Sequence, residues 1–372
     1  MDEDTLKYKI GITLIKGIGN SLAKNLIAYV GSVEGVFKEK QQNLSKIPGI
    51  GDVLSHEIVS QNILLRAEQE IEFITKNKIQ TYYFTDRDYP FRLKECSDSP
   101  IMIYSKGNAS LNDGKFVGVV GTRKATETGK ENCRKFINKL AESQPNTVIV
   151  SGLAYGIDIS AHKAALDVGL PTIGVIGHGL DRIYPDTHRS TAVRMLQNGG
   201  LLTEYLSQTN PDKQNFVQRN RIIAGLCDAI VVVESGSKGG ALITAEIAID
   251  YNRDVFAFPG RIDDEWSAGC NALIKNNKAS LIESADDILR FMNWEKQASS
   301  STKGVQTTLF VDLSEEEQGI VTTLRKNSEG VQINELAIQL IKPISRISSL
   351  LLEMEFKGLV KCLPGGMYRI IK

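Results

Sequence analysis

Short apolar runs alternate with longer mixed runs through the middle of the chain. The apolar runs are typical of strands buried on both faces of a sheet. They predict strands at 116–120, 147–150, 172–176, 200–203, 229–233 and 254–258. The amphipathic runs between them predict helices at 128–142, 159–168, 187–198, 218–226 and 241–251. Strands that alternate with helices in this way predict an α/β fold with a doubly wound, mostly parallel sheet.

Glycine-rich segments follow five of the predicted strands. They are Gly121-Thr122-Arg123, 151–158, 177–179, 234–240 and 259–261. In such sheets ligands bind beyond the carboxyl ends of the strands, and glycine lets the backbone approach a phosphate closely. Five such segments at one edge therefore predict a shared site for an anionic ligand.

The first of these segments carries two cations, Arg123 and Lys124. A dinucleotide-binding turn would have the spacing G-x-G-x-x-G, with an acidic residue further on. Here Gly118 and Gly121 are followed directly by the cations. The turn thus predicts a bound anion and argues against NAD, and we predict no cofactor.

Two short motifs, each with the pattern Gly-Ile-Gly after an apolar start, open the chain at 14–19 and 47–51, and each is followed by a helical run. They resemble tandem helix-hairpin-helix (SAM-like) units, whose backbone N–H groups can bind a DNA phosphate. Residues 1–75 hold eight Lys/Arg against ten Asp/Glu. A small helical domain in which the glycines only form turns is therefore the favoured interpretation, and weak contact with DNA or protein is the alternative.

A polar segment at 296–308 predicts a linker that separates the core, 78–292, from a last domain at 309–372. Three helical patterns, at 315–326, 333–339 and 345–357, precede a strand pair that turns at Pro364-Gly365-Gly366. This arrangement resembles a winged helix. Residues 305–372 hold eight Lys/Arg and eight Asp/Glu, whereas a DNA-binding wing is normally basic. We therefore favour a structural or protein-contact role for this domain.

The charge balance, the positions of cysteine and histidine, and the length of apolar runs bear on the class of function. The 44 Lys/Arg balance the 44 Asp/Glu, so a nucleic-acid surface would require cations gathered by folding. Five scattered cysteines and four scattered histidines form no metal-ligand spacing, and no metal site is predicted. The acidic start and the lack of a long apolar run predict a cytoplasmic protein without membrane contact.

No nucleophile with a base, no paired carboxylate and no Walker loop is recognisable in the sequence. We therefore predict no catalytic residue. The segment 213–221 instead combines Lys213, Phe216, Arg219 and Arg221, a mixture suited to single-stranded nucleic acid. The alternative is that Phe216 belongs to the core and that the arginines are solvated or paired.

Several long motifs resemble the DNA-processing protein A (DprA/Smf) family, in order and spacing, over about 78–290. They are Gly121-Thr122-Arg123, 151–158, Phe216 with 219–225, 240–245 and Phe258-Pro259-Gly260. The resemblance implies an extended Rossmann-like fold, a homodimer and sequence-independent binding of single-stranded DNA. It also implies protection of that DNA and loading of the recombinase RecA onto it in natural transformation.

The resemblance implies roles for particular residues. The site residues that it implies are Gly121, Thr122, Arg123, Lys124, Ser151, Gly152, Lys213, Phe216, Arg219, Asn220, Arg221, Lys238 and Gly239. Arg123 and Lys213 would bind phosphates, and Phe216 would stack on a base or line the groove. Lys238 departs from the family pattern, and its role is open. His178, between two glycines, is expected at the surface without a role in proton transfer.

Two other functions remain open at this point. Rossmann-like nucleotide hydrolases also use a glycine loop, and Ala245-Glu246 invites comparison with their acidic helix start. A scaffold, in which the core glycines only shape turns and the end domains recruit partners, is the third interpretation.

Overall fold

The structure is a computed structural model that describes residues 3–60, 63–294, 313–327 and 330–371. It divides into two compact units, 1–286 and 287–372. The predicted linker, 296–308, lies outside the described residues, and the predicted domain boundaries stay predictions. Within the described parts of the chain, no helix is both long and apolar enough to span a membrane.

Six helices form the start of the first unit. They are α1 (Glu3–Leu14), α2 (Asn20–Val30), α3 (Val33–Lys38), α4 (Gln41–Leu44), α5 (Asp52–Ser60) and α6 (Leu64–Asn77). The two glycine motifs form the turns before α2 and α5. Gly17 and Gly49 have φ of 81° and 86°, a backbone region that favours glycine. The apolar faces of these helices share one core with the adjoining edge of the sheet.

The first glycine turn faces the rest of its own unit. Asn20, the first residue of α2, accepts a hydrogen bond from the Ile101 N–H at 3.0 Å and donates to Glu204 at 3.5 Å. Glu70 on α6 accepts from the Ser207 N–H at 2.9 Å. The start of α2 is thus engaged in contacts within the protein.

A nine-stranded sheet forms the core of the first unit. Its strands are β1 (Gln80–Tyr83), β2 (Met102–Gly107), β3 (Lys115–Val120), β4 (Thr147–Ser151), β5 (Thr172–Val175), β6 (Gly199–Thr203), β7 (Ala229–Val232), β8 (Asp254–Ala257) and β9 (Ser280–Leu281). Their order is β1-β2-β6-β5-β4-β3-β7-β8-β9, and only β1 and β2 run antiparallel to their neighbours. The predicted doubly wound, mostly parallel sheet is confirmed.

Helices cross over between the parallel strands. The helices of this part are α7 (Phe91–Lys94), α8 (Glu127–Ser143), α9 (Ile157–Asp167), α10 (Arg189–Met195, after a 3-10 turn at Asp186–His188), α11 (Lys213–Leu226), α12 (Gly240–Asp250), α13 (Ala268–Lys275) and α14 (Ala285–Phe291, which spans the boundary between the units). The chain leaves β3 towards β4 but later returns to place β7 on its other side. This reversal of direction opens a crevice at the carboxyl ends of β3 and β7.

The second unit contains α15 (Glu315–Arg325), α16 (Ile333–Leu340) and α17 (Ile344–Phe356), with β10 (Val331–Gln332), β11 (Val360–Leu363) and β12 (Met367–Ile370). The three strands form one antiparallel sheet in the order β10-β12-β11. Ser314 begins α15 with a capping box, since its side chain and that of Glu317 bond each other's backbone N–H groups. This unit is the predicted winged helix.

Candidate functional site

A pocket of about 470 Å³ lies in the crevice between the ends of β3 and β7. Its walls are the loop after β3, the loop after β7, the start of α12, one face of α11 and part of the segment after β4. Nine of the residues predicted for the site line it: Gly121, Thr122, Arg123, Lys213, Phe216, Arg219, Asn220, Lys238 and Gly239. Folding therefore brings together residues that are up to 118 positions apart in the sequence.

The loop after β3 is fixed by the end of β7. The Thr122 N–H donates to the Glu234 carbonyl at 2.7 Å, and the Thr126 N–H donates to the Glu234 carboxylate at 2.9 Å. A Cβ atom on Gly121 would lie 2.4 Å from Ile157, so only glycine fits this turn. The loop is held closely, and the Arg123 side chain extends from it into solvent.

Three exposed cations, Arg123, Lys213 and Lys238, line the pocket. Among the residues that the structure describes, no carboxylate lies within 4.0 Å of any of the three. Their charges are therefore available to an anion. Lys124 follows Arg123 but lies outside the pocket, with its Nζ 5.8 Å from the centre of the Trp266 ring.

Helix α11 presents Lys213, Phe216 and Asn220 to the pocket because residues at positions i, i+3 and i+7 share one face. Asp212 begins the helix, and its side chain accepts a hydrogen bond from the Gln214 N–H at 2.8 Å. The partly exposed Phe216 ring has the Arg123 guanidinium 5.8 Å from its centre. A ring and a cation thus stand side by side in the pocket.

Arg219 forms the buried floor of the pocket. Its guanidinium donates to the Gly152 carbonyl at 2.7 Å and also to the Val175 carbonyl. Burial lowers the pKa of Arg219 to about 10, opposed by the nearby Asp158 carboxylate. Burial also raises the pKa of Asp158, although Arg219 acts in the opposite direction. The two side chains mainly hold the loop after β4 beneath the pocket.

Ser151 and Gly152 lie behind Arg219 and do not line the pocket. The Ser151 hydroxyl is fully buried and donates to the Val119 carbonyl at 2.6 Å. A Cβ atom on Gly152 would lie 2.4 Å from the Arg219 guanidinium. The glycine is required because the arginine packs directly against its backbone.

Arg221 is on another side of α11 and does not reach the pocket. It binds the Glu204 carboxylate at 2.5 Å and donates to the Asp98 carbonyl at 2.8 Å. Two residues along a helix turn the side chain by about 200°, so Arg219 and Arg221 cannot share a face. Arg221 therefore ties α11 to the rest of the unit.

The prediction that His178 lies at the surface is wrong. The side chain is fully buried, and its Nδ1 lies 2.9 Å from the Gly179 carbonyl oxygen. Burial lowers the pKa of His178 and so favours the neutral imidazole. The loop 177–179 does follow β5 at the expected edge, and a Cβ atom on Gly177 would lie 3.0 Å from Phe216. This loop supports the Phe216 ring from behind.

Sequence reasoning missed two aromatic residues beside the pocket. Tyr184 stacks on Phe216, with ring centres 5.6 Å apart and an interplanar angle of 26°. Trp266 lies under Gly236, at a rim formed by the loop after β7. Neither residue belongs to a glycine segment, so the only available signal was an aromatic side chain in a polar loop.

The site thus belongs to a class of doubly wound α/β proteins that present exposed cations and glycine-rich backbone at a switch point of the sheet. The family model of DNA recombination-mediator protein A matches residues 80–293, which is more than half of the chain. The model of the DprA winged helix domain matches residues 310–366. The chain belongs to the DNA recombination-mediator protein A family.

Relatives and solved structures agree with this assignment. Protein Smf of Synechocystis is 32% identical over 97% of this chain and 98% of its own length. The X-ray structure of DNA processing protein A from Streptococcus pneumoniae is 35% identical, with a TM-score of 0.65 over 76% of this chain and 97% of its own. A structure that addresses the single-stranded DNA binding mode of the Helicobacter pylori protein is 29% identical, with a TM-score of 0.53 over 58% of this chain and 96% of its own.

Proposed function

We propose that this protein binds single-stranded DNA without regard to sequence, through the pocket between β3 and β7. The observation that carries the proposal is the gathering of Arg123, Lys213 and Lys238, without carboxylate partners among the described residues, around the Phe216 ring. Cations bind phosphates, and a ring stacks on any base, so neither contact depends on sequence. A base in a duplex is already paired and stacked, so its face is accessible to the ring only in a single strand.

We further propose that the protein protects this DNA and loads RecA onto it as a homodimer. Membership in the recombination-mediator family supports this role. A cytoplasmic location in natural transformation or general recombination follows from the same proposal. Two measurements test it: nucleation of RecA on DNA coated by a single-strand-binding protein, and a mass in solution of twice the 41.0 kDa chain.

We propose no catalytic role. In the alternative of a nucleotide hydrolase, Glu246 would act on the bound nucleotide. Its carboxylate instead accepts hydrogen bonds from Lys278 at 2.7 and 3.0 Å, and Glu246 is not among the residues that line the pocket. Incubation with nucleoside monophosphates tests this proposal, and release of free base would contradict it.

Binding to a fluorescent oligo-dT, followed by anisotropy, tests the central proposal. Arg123→Ala and Lys213→Ala should each weaken binding to oligo-dT and to mixed sequences alike. Lys163→Ala and Lys275→Ala are matched controls, since both are exposed cations outside the pocket and have no carboxylate within 4.0 Å among the described residues. Equal effects of the pocket variants and the controls would contradict the assignment of the pocket.

A further inference from the structure

Two tyrosines form an exposed aromatic rim beside the pocket. Tyr155 and Tyr184 are each 48% exposed, so about half of each side chain is accessible to a ligand. We call this pair the tyrosine shelf. Neither ring lines the pocket itself, so the proposed function has not used them.

The tyrosine shelf is continuous with the pocket. Tyr184 stacks directly on Phe216, and Tyr155 follows Ala154, which lines the pocket wall. The two tyrosine segments also contact each other, because the Thr187 hydroxyl lies 3.5 Å from the Tyr155 hydroxyl. These contacts place Tyr184 against a ring of the pocket and connect the Tyr155 segment to the Tyr184 segment.

The Tyr155 ring packs against the buried His188 ring. The His188 ring meets Tyr155 edge to face, with ring centres 4.9 Å apart and an interplanar angle of 69°. His188 is itself buried, and its Nδ1 lies 2.9 Å from the Leu153 carbonyl oxygen. A supported ring loses little freedom when a ligand stacks on it, which favours binding.

The two arginines nearest to the shelf in sequence are paired with aspartates. Arg182 binds Asp181 at 2.8 Å, and Arg189 binds Asp186 at 3.0 Å. The shelf therefore offers ring faces rather than unpaired cations. Its ligand should be recognised by stacking, with little dependence on salt.

We propose that the tyrosine shelf is a second base-binding platform, which stacks the nucleobases of the nucleotides adjacent to the one in the pocket. This inference rests on the proposed function. In this proposal the DNA strand runs from the pocket across Tyr184 to Tyr155. Stacking of its bases on the two tyrosines adds to the affinity for single-stranded DNA.

The experiment compares two ligands of equal length, oligo-dT and an oligonucleotide in which the bases are replaced by abasic sites. Tyr155→Ala/Tyr184→Ala should weaken binding of oligo-dT about tenfold, as expected when a stacking platform is lost. Binding of the abasic strand and the salt dependence should be unchanged. Tyr155→Phe/Tyr184→Phe, which keeps both rings, is the control and should bind both ligands as the wild type does.

Tyr184 also supports Phe216, so Tyr155→Ala alone provides the independent test. It should still weaken oligo-dT binding by severalfold, because the ring that stacks on Phe216 is Tyr184, whereas Tyr155 meets His188. Wild-type affinity for oligo-dT in this variant, or an equal loss of affinity for the abasic strand, would contradict the proposal that the tyrosine shelf stacks bases. If the wild type binds no single-stranded DNA at all, the proposed function itself fails.

Photocrosslinking gives a direct readout. An oligonucleotide with 5-iodouracil at successive positions should crosslink to Tyr155 or Tyr184 at one or two positions, with the sites mapped by mass spectrometry. Crosslinks at Phe216 without any at the tyrosines would show that bases contact only the pocket. That result would contradict base stacking on the tyrosine shelf.

Discussion

The pocket and the winged helix both carry exposed cations, but only the winged helix holds some of its exposed cations in ion pairs. In the pocket, Arg123, Lys213 and Lys238 have no carboxylate within ion-pair distance among the described residues. In the winged helix, Glu316 binds Lys342 and Arg346. Other exposed cations of this unit have no carboxylate within that distance among the described residues: Arg325, Lys326, Lys361 and Arg369.

Glu317 likewise binds Lys357 in the winged helix. A cation that already has a carboxylate partner must give it up before it binds a phosphate. The comparison shows that a balanced composition conceals two different surfaces. We infer that the neutral chain binds DNA at the sheet edge, where three such cations share one pocket with the Phe216 ring.

The largest expected effect is in Arg123→Ala/Lys213→Ala. Each charge-assisted contact contributes roughly 1.5 kcal/mol, so two should lower the affinity for oligo-dT about a hundredfold. The slope of log affinity against log salt should fall by about 1.4, since each phosphate contact on a single strand contributes about 0.7. The thermal midpoint should be nearly unchanged, because both side chains are exposed. A large affinity loss with an unchanged slope would contradict direct phosphate contact.

The next effect is in Phe216→Ala. Loss of base stacking should weaken binding about tenfold, while the salt slope stays as in the wild type because no charge is lost. Titration with oligo-dT at several salt concentrations separates the two quantities. Phe216→Leu, which keeps the apolar volume but not the ring, should behave like Phe216→Ala. Wild-type affinity in Phe216→Leu would show that the ring only packs.

A smaller effect of opposite sign is expected for Glu316→Gln. This change leaves Lys342 and Arg346 without their shared carboxylate, so non-specific affinity for DNA should rise slightly. The salt slope should steepen by no more than about 1.4, the value for two added contacts. If Glu316→Gln raised the affinity for DNA as much as Arg123→Ala/Lys213→Ala lowers it, the proposed difference between the two regions would be contradicted.

The smallest effect concerns pH. Hydrogen bonds from Lys357 and from Ser314 lower the pKa of Glu317 from 4.5 to about 2. A lowered pKa means that this carboxylate stabilises the folded state above pH 4.5 and loses that effect as the pH falls towards 2. Glu317→Gln should therefore lower the thermal midpoint of the winged helix at pH 7, and the difference from the wild type should shrink below pH 4.5. A difference that does not change with pH would contradict this ion pair.

The sheet was predictable because strands buried on both faces leave short apolar runs, and β3 begins within one residue of its predicted start. Helix α11 was predicted from 218 but begins at Lys213. The missed signal was Asp212, whose side chain caps the helix. Once the start is known, the spacing of Lys213, Phe216 and Asn220 places them on one face.

The roles of the two arginines and of His178 could not be taken from the sequence. A motif shows that Arg219 and Arg221 are close along the chain, but not that the first lies under the pocket and the second binds Glu204. His178 follows a strand and lies between glycines, which suggests an exposed turn. The burial of His178 depends on residues that are distant in sequence. One of them is Thr203, whose hydroxyl donates a hydrogen bond to the His178 carbonyl.

The salt dependence of oligo-dT binding by the wild-type protein tests the central claim most directly. If three unpaired cations in one pocket each bind a phosphate, the slope of log association constant against log salt should be about −2. A slope near zero would show that the cations at the sheet edge do not bind the DNA backbone, and it would contradict the account.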